Sequence, residues 1–271
     1  MAQELTVGLA GLGAIGSAVA DALLAGKVPG LRLAAVSARD VDKAKAWLAE
    51  HDADLPVVPL GELPDHAEIL VEALPAAVFD ELARPAVEAG RTLVVASGGA
   101  MIGREDLVAK AEETGARLVI VSGAILGLDG VRAAAEGQIE RVTFKTSKPP
   151  KSLKDAPYVQ KQGIDLEALT EATCIFEGSV REAIKGFPAN VNVAAAASLA
   201  GIGPERTMIE VWADPAAERA THSLSLEGEA ARFTLEVQGM PSPDNPATGM
   251  LTPLSVIATL RRLTAPLVVG N

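Results

Sequence analysis

Aromatic side chains are scarce in this 271-residue chain, with Phe, Tyr and Trp together making up only 3% of it. Since 49% of the residues are hydrophobic, Ala, Val and Leu must fill the interior. Cysteine occurs once, at Cys174, which excludes an internal disulfide and points to a reducing compartment. There are three histidines, no cluster with metal-ligand spacing, no internal repeat and no G-x-S-x-G nucleophile motif. No uninterrupted apolar run approaches the ~20 residues that span a bilayer. The N-terminus lacks the basic region of a signal peptide, Lys27 being the first lysine. Basic residues are outnumbered, 24 Lys and Arg against 35 Asp and Glu, for a net charge of −11. That balance argues against nucleic acid or an anionic membrane as partner. The expectation is a cytoplasmic protein with no membrane segment.

What is present begins at the first residues. Leu5 to Ala10 (LTVGLA) is a mostly apolar run that reads as a buried strand, and Gly11-Leu12-Gly13-Ala14-Ile15-Gly16 follows at its end. This is G-x-G-x-x-G between a strand and a helix, the setting in which the motif is informative. Gly11 permits a tight turn, Gly13 lets the backbone approach a pyrophosphate, and Gly16 lets the helix pack closely. The helix, residues 14–25, is rich in Ala and Leu and closed by Gly26. Its first N–H groups, those of Ala14 and Ile15 among them, offer an anion site, so the cofactor read from this loop is NAD or NADP. The second strand, residues 31–37, ends in Ser37-Ala38-Arg39-Asp40, where a carboxylate would bind the ribose of NAD. Ser37 and Arg39 suit a 2′-phosphate instead, the guanidinium fork matching phosphate oxygens, and NADP is expected to be accepted. Asp40 alternatively serves only as N-cap of a helix over 41–50, with Arg39 merely solvated.

Strands at 69–74, 92–97 and 116–121 alternate with helices at 78–89 and 104–114, the helices closed by Gly90 and Gly115. Such alternation with short turns predicts an α/β protein with a doubly wound parallel sheet, and ligands then sit at the strands' carboxyl ends. Beyond Ser122 the rhythm stops. The apolar, glycine-rich stretch 122–130 leads to a strand at 141–147 halted by Pro149-Pro150, a lysine-rich loop at 151–163, and helices at 166–170 and 180–185. Pro188 suits a first helical position, which places Asn190 and Asn192 in an opening turn. Two residues are about 200° of helix rotation, so at most one of these amides reaches a shared ligand. Both also suit capping. Strands follow at 207–213, 221–226 and 233–237, the last two forming a hairpin. His222 shares strand parity with Leu224 and Leu226, pointing to the apolar face. A closing helix over 254–263 is expected to return to the first domain. The predicted domains are residues 1–123 with 245–271, and residues 124–244 with a mixed or antiparallel sheet.

Together these motifs resemble the L-aspartate dehydrogenase family. The matching residues are Gly11 to Gly16, Ser122-Gly123-Ala124-Ile125, Gly127-Leu128-Asp129-Gly130 and Thr146-Ser147-Lys148-Pro149-Pro150. Phe187-Pro188-Ala189-Asn190-Val191-Asn192-Val193-Ala194, the stretch around His222, and Asn245-Pro246-Ala247-Thr248 complete the set. The resemblance implies a Rossmann domain joined to an α/β domain whose sheet also serves oligomerisation, as in a homodimer. It implies His222 as the active-site residue, with Ala124 and Asn190 contacting the dinucleotide near its nicotinamide end. The implied reaction is NAD(P)-dependent deamination of L-aspartate to iminosuccinate and thence oxaloacetate and ammonia, feeding NAD biosynthesis. Two departures bear on the substrate pocket: members tend to carry asparagine at the position of Ala220 and serine at that of Gly249. An NADP-linked enzyme acting on another amino acid or imine, and a dinucleotide-binding sensor without turnover, remain alternatives.

Overall fold

The computed structural model describes residues 4–188, 190–240 and 249–270. The chain divides into two compact units, Met1–Val121 with Thr252–Val268, and Ser122–Leu251 with Val269–Asn271.

The first unit alternates β1 (Leu5–Ala10), α1 (Ala14–Leu24), β2 (Leu31–Ser37), α2 (Val41–Glu50), α3 (Leu63–His66), β3 (Ile69–Glu72), α4 (Phe79–Glu88), β4 (Thr92–Val95), α5 (Glu105–Thr114) and β5 (Arg117–Ile120). All five strands are parallel, in the order β2-β1-β3-β4-β5. The order reverses between β1 and β3, which makes their carboxyl ends the topological switch point. Helices form because their apolar residues recur at helical spacing. In α4, Phe79, Leu82, Ala83, Ala86 and Val87 are buried on one face, while Asp80 and Glu81 complement the positive end in its first turn. Gly115, at φ +77°, terminates α5.

The second unit contains α6 (Leu128–Ala135), β6 (Ile139–Lys148), α7 (Pro157–Gln162), β7 (Thr173–Ser179), α8 (Val180–Gly186), α9 (Asn192–Ala200), β8 (Thr207–Ala213), β9 (Thr221–Gly228) and β10 (Arg232–Gln238). Its sheet runs β10-β9-β6-β8-β7. Only β6 and β8 pair in parallel; the other neighbours are antiparallel, so the sheet is mixed. One face carries Val142, Phe144, Ile209, Val211, Leu224 and Leu226, all buried, and alternation puts polar residues on the other. Gly127, at φ +72°, starts α6 against β10, where any Cβ would collide with Leu235.

The last helix, α10 (Leu251–Thr264), belongs almost wholly to the first unit. Its Val256 and Leu260 join the core built by Val7, Leu9, Val19 and Leu31. Arg261 and Thr264 donate to the carbonyls of Lys27 at 2.7 Å and Pro29 at 2.9 Å. Among the described residues, no helix is long and apolar enough to cross a membrane.

Several local expectations are corrected. Residues 166–170 are irregular rather than helical, and 151–163 contain α7, a six-residue helix too short for periodicity to reveal. It is held by aromatic packing, with Tyr158 lying 5.2 Å from Phe176 and 5.3 Å from Phe187 between ring centroids. Helix α6 and strand β7 occupy stretches whose sequence pattern predicts neither element. Pro188 does not open a helix: it lies in a turn, and α9 begins only at Asn192. Asn190 therefore precedes the helix, and the 200° argument does not apply to the pair.

Candidate active site

The glycine loop joins β1 to α1 in the first unit. Gly11 adopts φ +96°, a left-handed conformation natural to glycine, and its N–H donates to the Ser37 carbonyl at 2.8 Å. A Cβ on Gly11 would stand 2.5 Å from the Ala73 carbonyl oxygen, and one on Gly16 would run into the Gly11 carbonyl. Gly13 is exposed, and a Cβ there would meet no atom within 4 Å. Gly13 also caps α1 with no side-chain hydrogen bond, so the N–H groups of Ala14, Ile15 and Gly16 are the helix's open donors. An open cradle at a helix N-terminus fits a pyrophosphate, and these residues therefore fit a dinucleotide. At the end of β2, Ser37 is buried and Arg39 exposed, while Asp40 caps α2 by accepting the Lys43 N–H at 3.0 Å.

Ala124, Asn190, Asn192 and His222 all lie in the second unit. His222 sits on β9 directly opposite Thr146 of β6, on the apolar face. It is 5% exposed, and its ring centroid is 5.8 Å from that of Phe144. Two residues along β6 on the same face is Lys148, whose Nζ donates to Asn190 Oδ1 at 2.9 Å. Asn190 is fixed in its turn by donating its N–H to the Phe187 carbonyl at 2.9 Å. The Ala124 loop adjoins the start of α9, since a Cβ on Gly123 would lie 3.9 Å from Val193. Asn192 occupies the first position of α9. The Asn245-Pro246-Ala247-Thr248 motif lies outside the described residues.

The electrostatics of this cluster are unusual. Burial lowers the Lys148 pKa to about 8. Burial, and then the charge of Lys148, lower the His222 pKa to about 3. The Lys148 ammonium, offset by no carboxylate among the described residues, disfavours a second positive charge on the imidazole and helps keep His222 neutral. In addition, Thr146 Oγ1 and His222 Nδ1 are buried without a hydrogen-bond partner among the described residues. Leaving such atoms unpaired costs about 1–3 kcal/mol each, and orphaned buried polar atoms mark sites shaped for something else. Sequence reasoning gave His222 a place here but no role to Thr146 or Lys148. Their shared parity was visible, but the register that sets Thr146 against His222 was not.

Among the described residues, no group of three or more His, Cys, Asp or Glu side chains is placed to hold a metal ion. A parallel sheet with this glycine cradle, and a second unit that buries an imidazole within electrostatic reach of an ammonium, define an NAD(P)-dependent dehydrogenase. The chain belongs to the L-aspartate dehydrogenase family. Residues 129–263 match the aspartate dehydrogenase C-terminal family, and residues 11–120 match the NAD-binding domain family of homoserine dehydrogenase. An L-aspartate dehydrogenase of Bordetella bronchiseptica is 46% identical over 99% of this chain and 98% of its own. One from Bradyrhizobium diazoefficiens is 44% identical over 99% and 95%. The crystal structure of aspartate dehydrogenase from Thermotoga maritima superposes with a TM-score of 0.73 at 24% identity, covering 99% of this chain and 100% of that one, which shows the shared fold.

Proposed function

We propose that this chain catalyses the reversible NAD(P)-dependent oxidative deamination of L-aspartate to iminosuccinate, which hydrolyses to oxaloacetate and ammonia. The observation that carries this reading is the Lys148 ammonium, lowered in pKa and without a carboxylate partner among the described residues, within electrostatic reach of the buried His222. A buried cation is stable only when paired, and a dicarboxylate substrate supplies the missing anion. Lys148 holds one substrate carboxylate, and Asn190 Oδ1 aims its ammonium. His222 takes a proton from the substrate ammonium, without which no C=N bond can form. Arrival of the carboxylates offsets the positive charge of Lys148 and so raises the basicity of the imidazole in the complex. When bound, the nicotinamide supplies the hydride acceptor for the substrate Cα hydrogen. Gly11, Gly13, Ala14, Ile15 and Gly16 cradle the pyrophosphate, and the family resemblance assigns Ala124 and Asn190, with Asn192 near them, to binding the cofactor.

The test is an assay of the purified protein against amino acids with each cofactor, following formation of reduced nicotinamide. L-Aspartate is the expected substrate. Dinucleotide binding without turnover on any amino acid would instead identify a sensor.

Arg39 is assigned to the 2′-phosphate of NADP(H). Arg39→Ala is expected to raise the NADPH Kd on the order of tenfold, as loss of one charge-assisted hydrogen bond does, and to leave NADH within twofold. Titration with each cofactor measures both, and equal losses would remove Arg39 from that role.

The second unit's sheet also supports a homodimer. Its polar-patterned face bears Thr143, Lys145, Ser147, Trp212, Ser223 and Ser225, all half-buried, with Lys145 Nζ 4.0 Å above the Trp212 ring. Trp212→Glu is expected to shift the protein from dimer to monomer in sedimentation velocity. A wild-type monomer at micromolar concentration would refute the assignment.

A further inference from the structure

Glu72 ends β3, the strand beside β1 at the switch point. It is a carboxylate closing an apolar run, and it is 0% exposed. No cation pairs with it among the interactions that perturb it; instead it accepts backbone N–H groups. Oε1 accepts from Leu74 at 2.7 Å, in the loop after β3, and Oε2 accepts from Ser97 at 2.9 Å, in the loop after β4. The Ser97 hydroxyl closes the ring by donating to the Leu74 carbonyl at 2.9 Å. Between Glu72 and Leu74 lies Ala73, whose N–H donates to the Ala10 carbonyl at 3.0 Å and whose carbonyl oxygen faces the Gly11 turn. The buried Glu72 side chain thus ties the loops after β3 and β4 together, and the Ala73 backbone between its anchor points carries the link on to β1.

A buried carboxylate is costly, and burial raises its pKa against the opposing pull of the Ser97 and Leu74 N–H groups. Its position explains it, because loops at the carboxyl ends of these strands form the floor of a dinucleotide site.

We propose that Glu72 is a positioning residue of the dinucleotide site, fixing the loops after β3 and β4 so that Ala73 backs the glycine turn in its binding-competent shape. The inference rests on the dinucleotide reading of that turn. Glu72→Gln keeps the size but places an NH₂ group where an N–H needs an acceptor, so one loop loses its tether. Isothermal titration of the folded variant is expected to give an NADH Kd about tenfold above wild type, with aspartate KM at saturating cofactor within twofold. A role confined to stability lowers the melting temperature and leaves that Kd unchanged, and this result would overturn the proposal. Should Glu72→Gln not fold, Ser97→Ala removes the hydroxyl that closes the ring and leaves the carboxylate in place. It is expected to raise the NADH Kd several-fold, and wild-type affinity in Ser97→Ala would then overturn the proposal. Failure of the wild-type protein to bind NADH would instead overturn the dinucleotide reading itself.

Discussion

His222→Asn is expected to lower kcat on the order of 10²–10⁴-fold, the usual loss when a positioned acid–base group is removed. Asparagine keeps the polarity and approximate size, so the strand pairing of β9 with β6 should survive. Dinucleotide affinity is expected to stay within twofold, because the glycine cradle belongs to the first unit. Thermal stability should change little, since asparagine is again a polar side chain of similar size at the same buried position. Steady-state kinetics beside a melting curve checks both. A variant with near-normal kcat that melts far earlier would make His222 a core residue and place the chemistry elsewhere.

Lys148→Met is expected to lower kcat/KM for L-aspartate on the order of 10²–10³-fold, equivalent to about 3–4 kcal/mol, within the range for truncating one partner of a desolvated charge pair. The loss should fall mainly on KM, with NADH affinity nearly unchanged. The pH profile supplies a second measurement. In the free protein the Lys148 ammonium is lost as pH rises through about 8, not at its usual higher value. Wild-type kcat/KM should therefore decline above about pH 8, since this parameter reports groups of the free enzyme. Lys148→Arg keeps its charge at every accessible pH and should lose that alkaline limb, whatever its overall rate. An unchanged aspartate KM in the Met variant would exclude Lys148 from the substrate site.

The parallel sheet was legible in the sequence because each βα pair is written locally. An apolar run, a glycine or proline, and a helix of ten or so residues recur along the first 121 positions. Parity likewise placed His222 on the side of Leu224 and Leu226, since one strand suffices to show it. Lys148 and Thr146 were not legible as partners of His222, because β6 and β9 are separated by some seventy positions and nothing local sets their register. Asn190 was misplaced for a related reason: Pro188 suits both a first helical turn and the irregular turn it actually occupies. Glu72 was visible as a charge at the end of Ile69-Leu70-Val71, an inconsistency with its strand that burial turns into a signal.

The placement of α10 has a consequence for how the chain is made. Its partners Lys27 and Pro29 leave the ribosome more than two hundred residues before Arg261 and Thr264 do. The second unit, apart from its last residues 269–271, is one contiguous segment and can make most of its contacts as it emerges. The first unit must wait with the apolar patch reserved for Val256 and Leu260 still wet, although its five strands are already synthesised. Most of the second unit's chain is thus available before the first unit's core can close. During that interval the nascent N-terminal sheet is the part of the molecule most in need of chaperone protection.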